Sequence, residues 1–340
     1  MYSTKIAGAG FYVPDNVVTN DDLSKFMDTN DEWIKERTGI EERRWAIPGG
    51  EDKPSTMGVK AARKAIENAG LTPDDIDYIL FATLSPEYYF PGPGVTVQKE
   101  LGIKEVGALD IRNQCSGFLY GLSVGDQFIK TGMYKNILLI GSELQSPLMD
   151  KTTRGRAVSV IFGDGAGAVV LQRSEEEGKG ILTTHTHAQG EFAEELAILD
   201  PGPTFWVDQL LEKSETAEEG EKPLGYYPYM NGNFVFKHAV TRFQEVIHEA
   251  LAATGYKPED IDLLIPHQAN LRISQYIQKQ MKLSDDKVFN NIMRYGNTTA
   301  ASIPIALCEA IEQDRLKSGD LLCLAAFGSG FTWGSALIRW

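Results

Sequence analysis

Two segments of the chain, 185 residues apart, match each other position for position. Residues 70–80 have the sequence GLTPDDIDYIL, and residues 255–265 have the sequence GYKPEDIDLLI. Each follows an amphipathic helix pattern and leads into an apolar strand pattern. A period this long is typical of a duplicated α/β unit and not of a solenoid. The sequence therefore predicts two similar α/β halves; the alternative is convergence of two helix-to-strand turns, which the shared glycine, proline and paired acids disfavour.

The repeat divides the 340 residues into three parts. Residues 1–173 are predicted to form the first half, residues 230–340 the second half, and residues 174–229 an irregular connecting segment. Residues 190–228 are acidic and rich in proline and glycine, which favours an insertion or a flap. Residues 158–171 predict a strand, a glycine-rich turn and a second strand.

Cys115 stands where a strand pattern changes to a helix pattern. Residues 106–111 predict a short buried strand, and residues 116–130 predict a helix. Unpaired amides and the positive end of the helix dipole would then face the sulfur, lower the pKa of the thiol and make it a nucleophile. The alternative is a small buried apolar cysteine, which is the commonest fate of a free cysteine.

His267 and Asn297 each follow a predicted strand in the second half, at places that the repeat brings near Cys115. Cysteine, histidine and asparagine also form the triad of some cysteine peptidases. The local sequence around Cys115 lacks the pattern of those peptidases. His185 and His187 alternate on another predicted strand, either as a metal-binding pair or as solvated strand histidines.

Composition excludes several classes of function. The chain has 33 lysines and arginines against 47 aspartates and glutamates, a net charge of −14, which argues against nucleic acid or an anionic membrane as the main partner. The three cysteines, at positions 115, 308 and 323, form neither an even set nor a metal-ligand spacing, which fits a reducing cytoplasm. The first residues lack a signal-peptide pattern, and no apolar run is long enough to span a bilayer. The predicted location is cytoplasmic.

The chain resembles, nearly from end to end, the β-ketoacyl-acyl-carrier-protein synthase III family of condensing enzymes that start fatty-acid synthesis. The motifs that carry the resemblance, in the order of that family, are DEWIKERTGI (31–40), CSGF (115–118), IFGDGAGA (161–168), MNGNFVFK (230–237), HQANLRI (267–273), GNTTAAS (296–302) and FGSGFTWGSAL (327–337). The resemblance implies a thiolase-like α/β fold, in which two pseudo-symmetric halves stack as an αβαβα sandwich. It also implies an acyltransferase and a homodimer.

The resemblance gives the catalytic residues specific roles. Cys115 would accept the acyl group, and His267 and Asn297 would stabilise the decarboxylating malonyl unit. The backbone N–H of Ser329 would complete the oxyanion hole, at a position where the family usually has glycine.

The resemblance also implies the binding residues. Trp33 and Arg156 would hold the adenine of coenzyme A, with Arg37 as a neighbouring contact. Phe90 would reach across the dimer into the acyl pocket of the partner, and Phe327 is placed with the substrate-binding residues.

A basic patch for the acidic carrier protein is implied at Lys237, Arg272 and Lys279. The alternative for these three charges is a set of solvated helix faces. The chain has a net charge of −14, yet these positive groups lie beside its site. This placement favours docking of the acidic carrier protein.

The reaction implied is acylation of Cys115 by acyl-CoA, followed by decarboxylative condensation with malonyl-acyl-carrier protein to give 3-oxoacyl-carrier protein, CO2 and CoA. No metal or other cofactor is expected. The alternatives are a specialised condensing enzyme for longer or unusual acyl groups in secondary metabolism, and a cysteine hydrolase of acyl thioesters. A non-catalytic scaffold is a third alternative.

Overall fold

The computed structural model describes residues 2–176, 178–199 and 227–340, and two main β-sheets organise them. The first sheet contains, in spatial order, β1 (Ser3–Tyr12), β7 (Gly165–Ser174), β6 (Asn136–Glu143), β4 (Tyr78–Ala82) and β5 (Gly107–Ile111). The second contains β8 (Gly180–Ala188), β13 (Thr332–Arg339), β12 (Leu321–Gly328) and β11 (Leu263–Pro266). Two short ribbons pair β2 (Val17–Thr19) with β3 (Glu42–Arg44), and β9 (Leu196–Ala197) with β10 (Tyr229–Met230).

The two sheets have the same strand order and the same strand directions. In the first, β1 and β7 are antiparallel, β7 and β6 are antiparallel, and β6 and β4 are parallel. In the second, β8 with β13, β13 with β12, and β12 with β11 repeat these directions. In place of β5, the second sheet has a single parallel bridge from Leu264 to Val288. The predicted pseudo-symmetry of two α/β halves is therefore confirmed.

The paired acids of the repeat have the same structural task in both halves. The carboxylates of Asp75 and Asp260 each accept a hydrogen bond of 2.8 Å from the backbone N–H three residues earlier, which closes a 3-10 turn. The carboxylates of Asp77 and Asp262 accept the backbone N–H of the first residue of β6 and of β12, at 2.9 and 2.8 Å. Each second acid thereby ties two neighbouring strands together at their starts.

The helices form three layers around the two sheets. Their bounds are α1 (Asn20–Leu23), α2 (Asp31–Thr38), α3 (Pro54–Asn68), α4 (Pro93–Leu101), α5 (Gly117–Lys130), α6 (Arg156–Ser159), α7 (Gly232–Thr254), α8 (Leu271–Met281), α9 (Ile292–Tyr295) and α10 (Ser302–Glu312). α5 and α10 lie between the sheets, where Phe118, Leu122 and Leu307 share one apolar cluster with Leu139 of β6 and Leu324 of β12.

The outer helices cover the remaining faces. Met57 and Ala61 of α3 pack with Leu138 and Val170 on the outside of the first sheet. Phe243 of α7 belongs to the cluster on the outside of the second sheet, together with α8. The layers therefore follow the predicted αβαβα order. Within the described ranges, no helix is long and apolar enough to cross a membrane.

Three local predictions are wrong. Residues 106–111 were expected to form a buried strand, but β5 lies at the edge of its sheet, and Gly107, Leu109 and Asp110 are exposed. Residues 158–161 were expected to start a strand, but Arg156–Ser159 form the helical turn α6, and Val158 packs with Ile34 and Ile292 in a separate apolar cluster. A short apolar run fits a buried helical turn as well as a strand. The segment 174–229 is also not irregular throughout, because residues 180–188, which include the predicted strand of His185 and His187, form β8 and pair with β13.

The division of the chain at residues 173 and 230 stays a prediction. Most of the predicted flap, residues 200–226, lies outside the described residues. Before residue 200 and after residue 226, the chain forms the two strands of the β9–β10 ribbon. Leu196 and Met230 of this ribbon line the cavity described next.

Candidate active site

A cavity of about 420 Å³ lies where the two halves meet. Cys115 from the first half lines it together with His267, Asn297 and Phe327 from the second. The fold therefore brings the three predicted catalytic side chains to one space, although 182 residues separate Cys115 from Asn297. Its volume is within the usual range for sites that bind small molecules and cofactors.

Cys115 sits in a strained turn that both halves possess. The residue before it, Gln114, has φ of +33° in the 3-10 turn that precedes α5. Thr299, 185 residues later, has φ of +47° in the 3-10 turn that precedes α10. Side chains other than glycine rarely adopt such angles, and residues that do so cluster at functional sites. The corresponding residue of the second turn is Ala300, so this turn holds no second nucleophile.

The predicted lowering of the Cys115 pKa is wrong. Burial raises the pKa of the Cys115 thiol to about 12, and the nearby Glu143 carboxylate raises it further. The backbone N–H groups of Ser329 and Cys115 point at the sulfur and act in the opposite direction, but they do not outweigh the lost hydration. The thiol is therefore protonated at neutral pH.

The loop after β12 lies directly against the nucleophile. A Cβ atom added at Gly328 would lie 3.0 Å from the Cys115 sulfur, so only glycine allows this approach. The approach brings the Ser329 backbone N–H to the sulfur, as the predicted oxyanion hole requires. The Ser329 hydroxyl donates a hydrogen bond to the Leu196 carbonyl oxygen and so ties this loop to β9.

His267 and Asn297 present polar atoms to the cavity. Burial lowers the pKa of His267 to about 3, so the ring is neutral at physiological pH. Its Nε2 atom is buried and has no hydrogen-bond partner among the described residues. The Oδ1 atom of Asn297 accepts the backbone N–H of Thr299 at 2.8 Å, which leaves the amide NH2 as the free end.

Glu143 is a residue that the sequence analysis missed. It ends β6 and is fully buried. It accepts hydrogen bonds from the hydroxyl groups of Ser85 at 2.6 Å and Thr83 at 3.1 Å, and from the backbone N–H of Leu84 at 3.2 Å. Burial raises the pKa of Glu143 to about 7. An acid at the end of a long apolar run was the available signal, because such an acid enters the interior with its strand.

The residues predicted to bind coenzyme A meet at the mouth of the cavity. The guanidinium carbons of Arg37 and Arg156 lie 4.5 and 5.2 Å from the ring centre of Trp33. Trp33 and Arg37 line the cavity, and Arg156 also forms an ion pair of 3.5 Å with Asp28. The mouth thus offers a flat aromatic surface beside positive charge.

The remaining predicted residues divide into two groups. Lys237, Arg272 and Lys279 are all exposed on α7 and α8, and Arg272 also lines the cavity. Phe90 is 82% exposed and does not line the cavity of its own chain. The fold of one chain therefore does not bring Phe90 to the site.

His185 and His187 lie side by side on β8 and share one carboxylate. Glu249 of α7 lies 3.3 Å from Nδ1 of His185 and 2.6 Å from Nε2 of His187. In the described part of the chain, no cluster of histidine, cysteine and acidic residues has the geometry of a metal site. These histidines tie β8 to α7.

A duplicated five-layer fold with cysteine, histidine and asparagine on one cavity defines a thiolase-fold condensing enzyme. Residues 109–190 match the family model of 3-oxoacyl-(acyl-carrier-protein) synthase III, and residues 251–340 match the model of its C-terminal part. The β-ketoacyl-acyl-carrier-protein synthase III of Aliivibrio fischeri is 47% identical over 339 residues, which cover 100% of both chains. The chain belongs to this family of acyl-transferring condensing enzymes.

Solved structures agree with the sequence relatives. The crystal structure of 3-oxoacyl-acyl-carrier-protein synthase III from Aquifex aeolicus is 44% identical and has a TM-score of 0.88, covering 99% of this chain and 100% of that one. A priming β-ketosynthase from a polyketide biosynthetic pathway is 29% identical, also with a TM-score of 0.88, over 99% of this chain and 96% of that one. The predicted thiolase-like fold is confirmed.

Proposed function

We propose that the protein transfers the acyl group of an acyl-CoA to Cys115 and condenses it with malonyl-acyl-carrier protein at the start of fatty-acid biosynthesis. The products are 3-oxoacyl-carrier protein, CO2 and free CoA. The observation that carries this proposal is the shared cavity of Cys115, His267 and Asn297. A sulfur nucleophile suits the formation of an acyl-enzyme. Two neutral hydrogen-bond donors beside it suit the stabilisation of an enolate in the next step.

In the first step the sulfur of Cys115 attacks the thioester carbonyl carbon of the acyl-CoA. The backbone N–H groups of Cys115 and Ser329, which point at the sulfur, stabilise the oxyanion. The C–S bond to CoA breaks, and the proton of the Cys115 thiol ends on the CoA sulfur. The step is balanced without a separate base, which suits a thiol whose pKa burial has raised.

In the second step the malonyl thioester loses CO2 and becomes an enolate. His267 and Asn297 donate hydrogen bonds to the enolate oxygen, and the enolate carbon attacks the acyl group on Cys115. The Cys115 thiolate leaves and takes a proton from water, which restores the resting thiol and leaves the negative charge of the lost carboxylate in solution as hydroxide. The acyl groups, electrons and protons balance in both steps, so the chemistry needs no metal or redox cofactor.

Trp33, Arg156 and Arg37 are proposed to hold coenzyme A at the mouth of the cavity. The Trp33 ring can stack on the adenine, and the two guanidinium groups near it can pair with phosphates. Phe327, which is buried and lines the cavity, is proposed to contact the acyl thioester. Replacing Trp33 with alanine should raise KM for acyl-CoA. An unchanged KM would show that Trp33 does not bind coenzyme A.

One mixture separates the proposed activity from its alternatives. The protein is incubated with a panel of acyl-CoAs and malonyl-carrier protein, and CO2, CoA and 3-oxoacyl-carrier protein are measured. Condensation releases all three in equal amounts, whereas a hydrolase releases CoA without CO2, and a scaffold releases neither. A preference for long or unusual acyl groups would favour the specialised role that the likeness to the priming β-ketosynthase suggests. A cytoplasmic location, proposed from the cysteine content, is checked by cell fractionation.

We propose a homodimer formed through the face that carries Phe90. Tyr88, Tyr89 and Phe90 are 56%, 63% and 82% exposed. They precede α4, whose start is tied to the edge strand β5 by a hydrogen bond of 2.9 Å from the Gly94 N–H to Asp110. An exposed aromatic patch beside an open strand edge is typical of an interface. In the dimer, Phe90 would then enter the acyl pocket of the partner.

Light scattering tests the dimer. The wild type should have twice the mass of one chain, and Phe90→Asp should shift it toward the mass of a single chain, because a buried unpaired charge weakens an interface. Ile47 is 64% exposed and lies elsewhere, in the loop after β3, so Ile47→Asp is the matched control and should stay dimeric. A wild type that runs at the mass of one chain would contradict the proposal.

The carrier protein is proposed to dock on the exposed faces of α7 and α8. Lys237 and Lys279 lie outside the cavity lining, whereas Arg272 lines it, so Arg272 would contact both CoA and the carrier. The double variant Lys237→Glu and Lys279→Glu should lower kcat/KM for malonyl-carrier protein by about tenfold at low salt, because charges at a rim act on association. Acylation by acyl-CoA should be unchanged.

Two controls make this prediction specific. Lys99, on α4 of the first half, has an 81% exposed side chain, and Lys99→Glu should leave both half-reactions unchanged. The loss should shrink as salt is raised, since salt screens exposed charges. An equal loss in acylation and condensation would contradict docking at this face.

A further inference from the structure

The two ring nitrogens of His267 have different surroundings. Nδ1 lies 2.6 Å from the hydroxyl oxygen of Ser302, at the start of α10. Nε2 is buried without a hydrogen-bond partner among the described residues, and the side chain lines the cavity with Cys115 and Asn297. The protein therefore holds one nitrogen and leaves the other for a substrate.

The position of one proton decides what the free nitrogen can do. Burial keeps the ring neutral by lowering the pKa of His267 to about 3. A neutral imidazole carries a single N–H, so Nε2 is either a donor or an acceptor. An enolate oxygen requires a donor, whereas removal of the Cys115 proton would require an acceptor.

The hydrogen bonds of Ser302 identify the tautomer. The backbone N–H of Gln268 points at the Ser302 oxygen at 3.4 Å, and an N–H can only donate. Within the described ranges, the other hydrogen-bond partner of this oxygen is Nδ1 of His267. Ser302 is buried, so bulk water does not compete. A hydroxyl oxygen can accept two hydrogen bonds, but the buried hydroxyl hydrogen of Ser302 has no acceptor other than Nδ1 among the described residues. The hydroxyl therefore donates to Nδ1, which places the ring proton on Nε2.

We propose that Ser302 is a positioning residue that holds His267 as the Nε2–H tautomer, so that the ring donates a hydrogen bond into the cavity and does not accept the Cys115 proton. This inference rests on the proposed function and assigns the direction of one of its hydrogen bonds. The catalytic contact belongs to His267, and Ser302 acts through it.

The same turn orients the second donor. Thr299, whose φ is +47°, gives its backbone N–H to Oδ1 of Asn297 at 2.8 Å. Residues 297–302 therefore fix both Asn297 and His267 with their donor ends free. A site with two fixed donors suits an enolate oxygen, which carries negative charge and needs no proton acceptor.

The first test measures which nitrogen of the His267 ring carries the proton, and it needs no enzyme assay. In protein labelled with ¹⁵N-histidine, the nitrogen chemical shifts distinguish an N–H from a bare nitrogen, and the signals missing in His267→Ala identify the ring. The wild type should show N–H at Nε2 and a bare Nδ1, and Ser302→Ala should show a mixture of tautomers. A wild-type proton on Nδ1, or a Ser302→Ala ring identical to the wild type, would overturn the proposal.

The second test separates the half-reactions. Ser302→Ala should form the acyl-enzyme from acyl-CoA at close to the wild-type rate and should condense it with malonyl-carrier protein roughly 10- to 100-fold more slowly, as is typical when the partner that orients a functional histidine is lost. Ser302→Thr, which keeps the hydroxyl, should recover most of the condensation rate. Equal loss in both half-reactions, or unchanged condensation in Ser302→Ala, would overturn it.

The two tests keep the two proposals apart. If the wild type fails to condense any acyl group but shows the Nε2–H tautomer, the proposed function fails and the role of Ser302 on the ring stands. If the wild type condenses normally but carries the proton on Nδ1, the inference about Ser302 fails alone.

Discussion

Replacing Cys115 with alanine should abolish the covalent acyl-enzyme and lower condensation by about 10⁴-fold or more, because alanine offers no nucleophile. The side chain is buried in the turn between β5 and α5 and lines the cavity beside the amide of Ser329. The variant should fold normally, since the change removes only one sulfur atom. Intact-protein mass spectrometry after exposure to acyl-CoA measures the adduct.

The chain supplies its own matched control for this variant. Cys323 is also buried and free, but it lies on β12 in the outer apolar cluster of the second half. Burial raises the pKa of Cys323, as it does for Cys115, so Cys323 is a control thiol that is also buried but lies away from the cavity. Cys323→Ala should keep the adduct. An adduct that survives in Cys115→Ala and maps to Cys323 would place the nucleophile elsewhere.

Replacing His267 or Asn297 with alanine should separate the two half-reactions. Each residue is proposed to donate to the enolate oxygen, and the loss of one such donor costs about 100- to 1,000-fold in rate. Acylation of Cys115 should continue at close to the wild-type rate, because backbone amides are proposed to hold its oxyanion. Rapid-mix measurement of adduct formation and of CO2 release distinguishes the two rates.

The double variant and an exposed histidine complete the comparison. His267→Ala with Asn297→Ala should lose less than the product of the two single effects, because the residues act on one oxygen. His248 is exposed on α7 and does not line the cavity, so His248→Ala should leave acylation unchanged and should slow condensation far less than His267→Ala does. If His267→Ala slows acylation as much as condensation, the histidine acts on the Cys115 proton and the assigned roles are wrong.

The most reliable predictions from the sequence were the features that follow from local residue patterns and from the internal repeat. The match between residues 70–80 and 255–265 predicted the two halves, and the second acid of each copy, Asp77 or Asp262, proved to tie two strands together. Cys115 lies at the strand-to-helix turn where it was expected, and α5 begins two residues later. These features depend on neighbouring residues along the chain, so a single sequence contains the information.

Features that depend on contacts across the fold were missed or wrong. The Cys115 pKa was expected to fall because a helix start faces the sulfur, but the sequence did not show how deeply the turn is buried or that Glu143 lies nearby. Ser302 meets His267 only because α10 begins beside the end of β11, and 35 residues separate them. Residues 158–161 were mistaken for the start of a strand because a short apolar run fits a helical turn and a strand equally well.

A chase experiment on the isolated acyl-enzyme tests the central claim most directly. Wild-type protein is acylated with acyl-CoA, freed of CoA by gel filtration, and divided between buffer and malonyl-carrier protein, and the mass of the protein is followed with time. The acyl mass should persist in buffer but disappear within one turnover with malonyl-carrier protein, with one CO2 and one 3-oxoacyl product formed per adduct lost. Equal loss of the adduct in buffer, or product formed while the adduct remains, would contradict it.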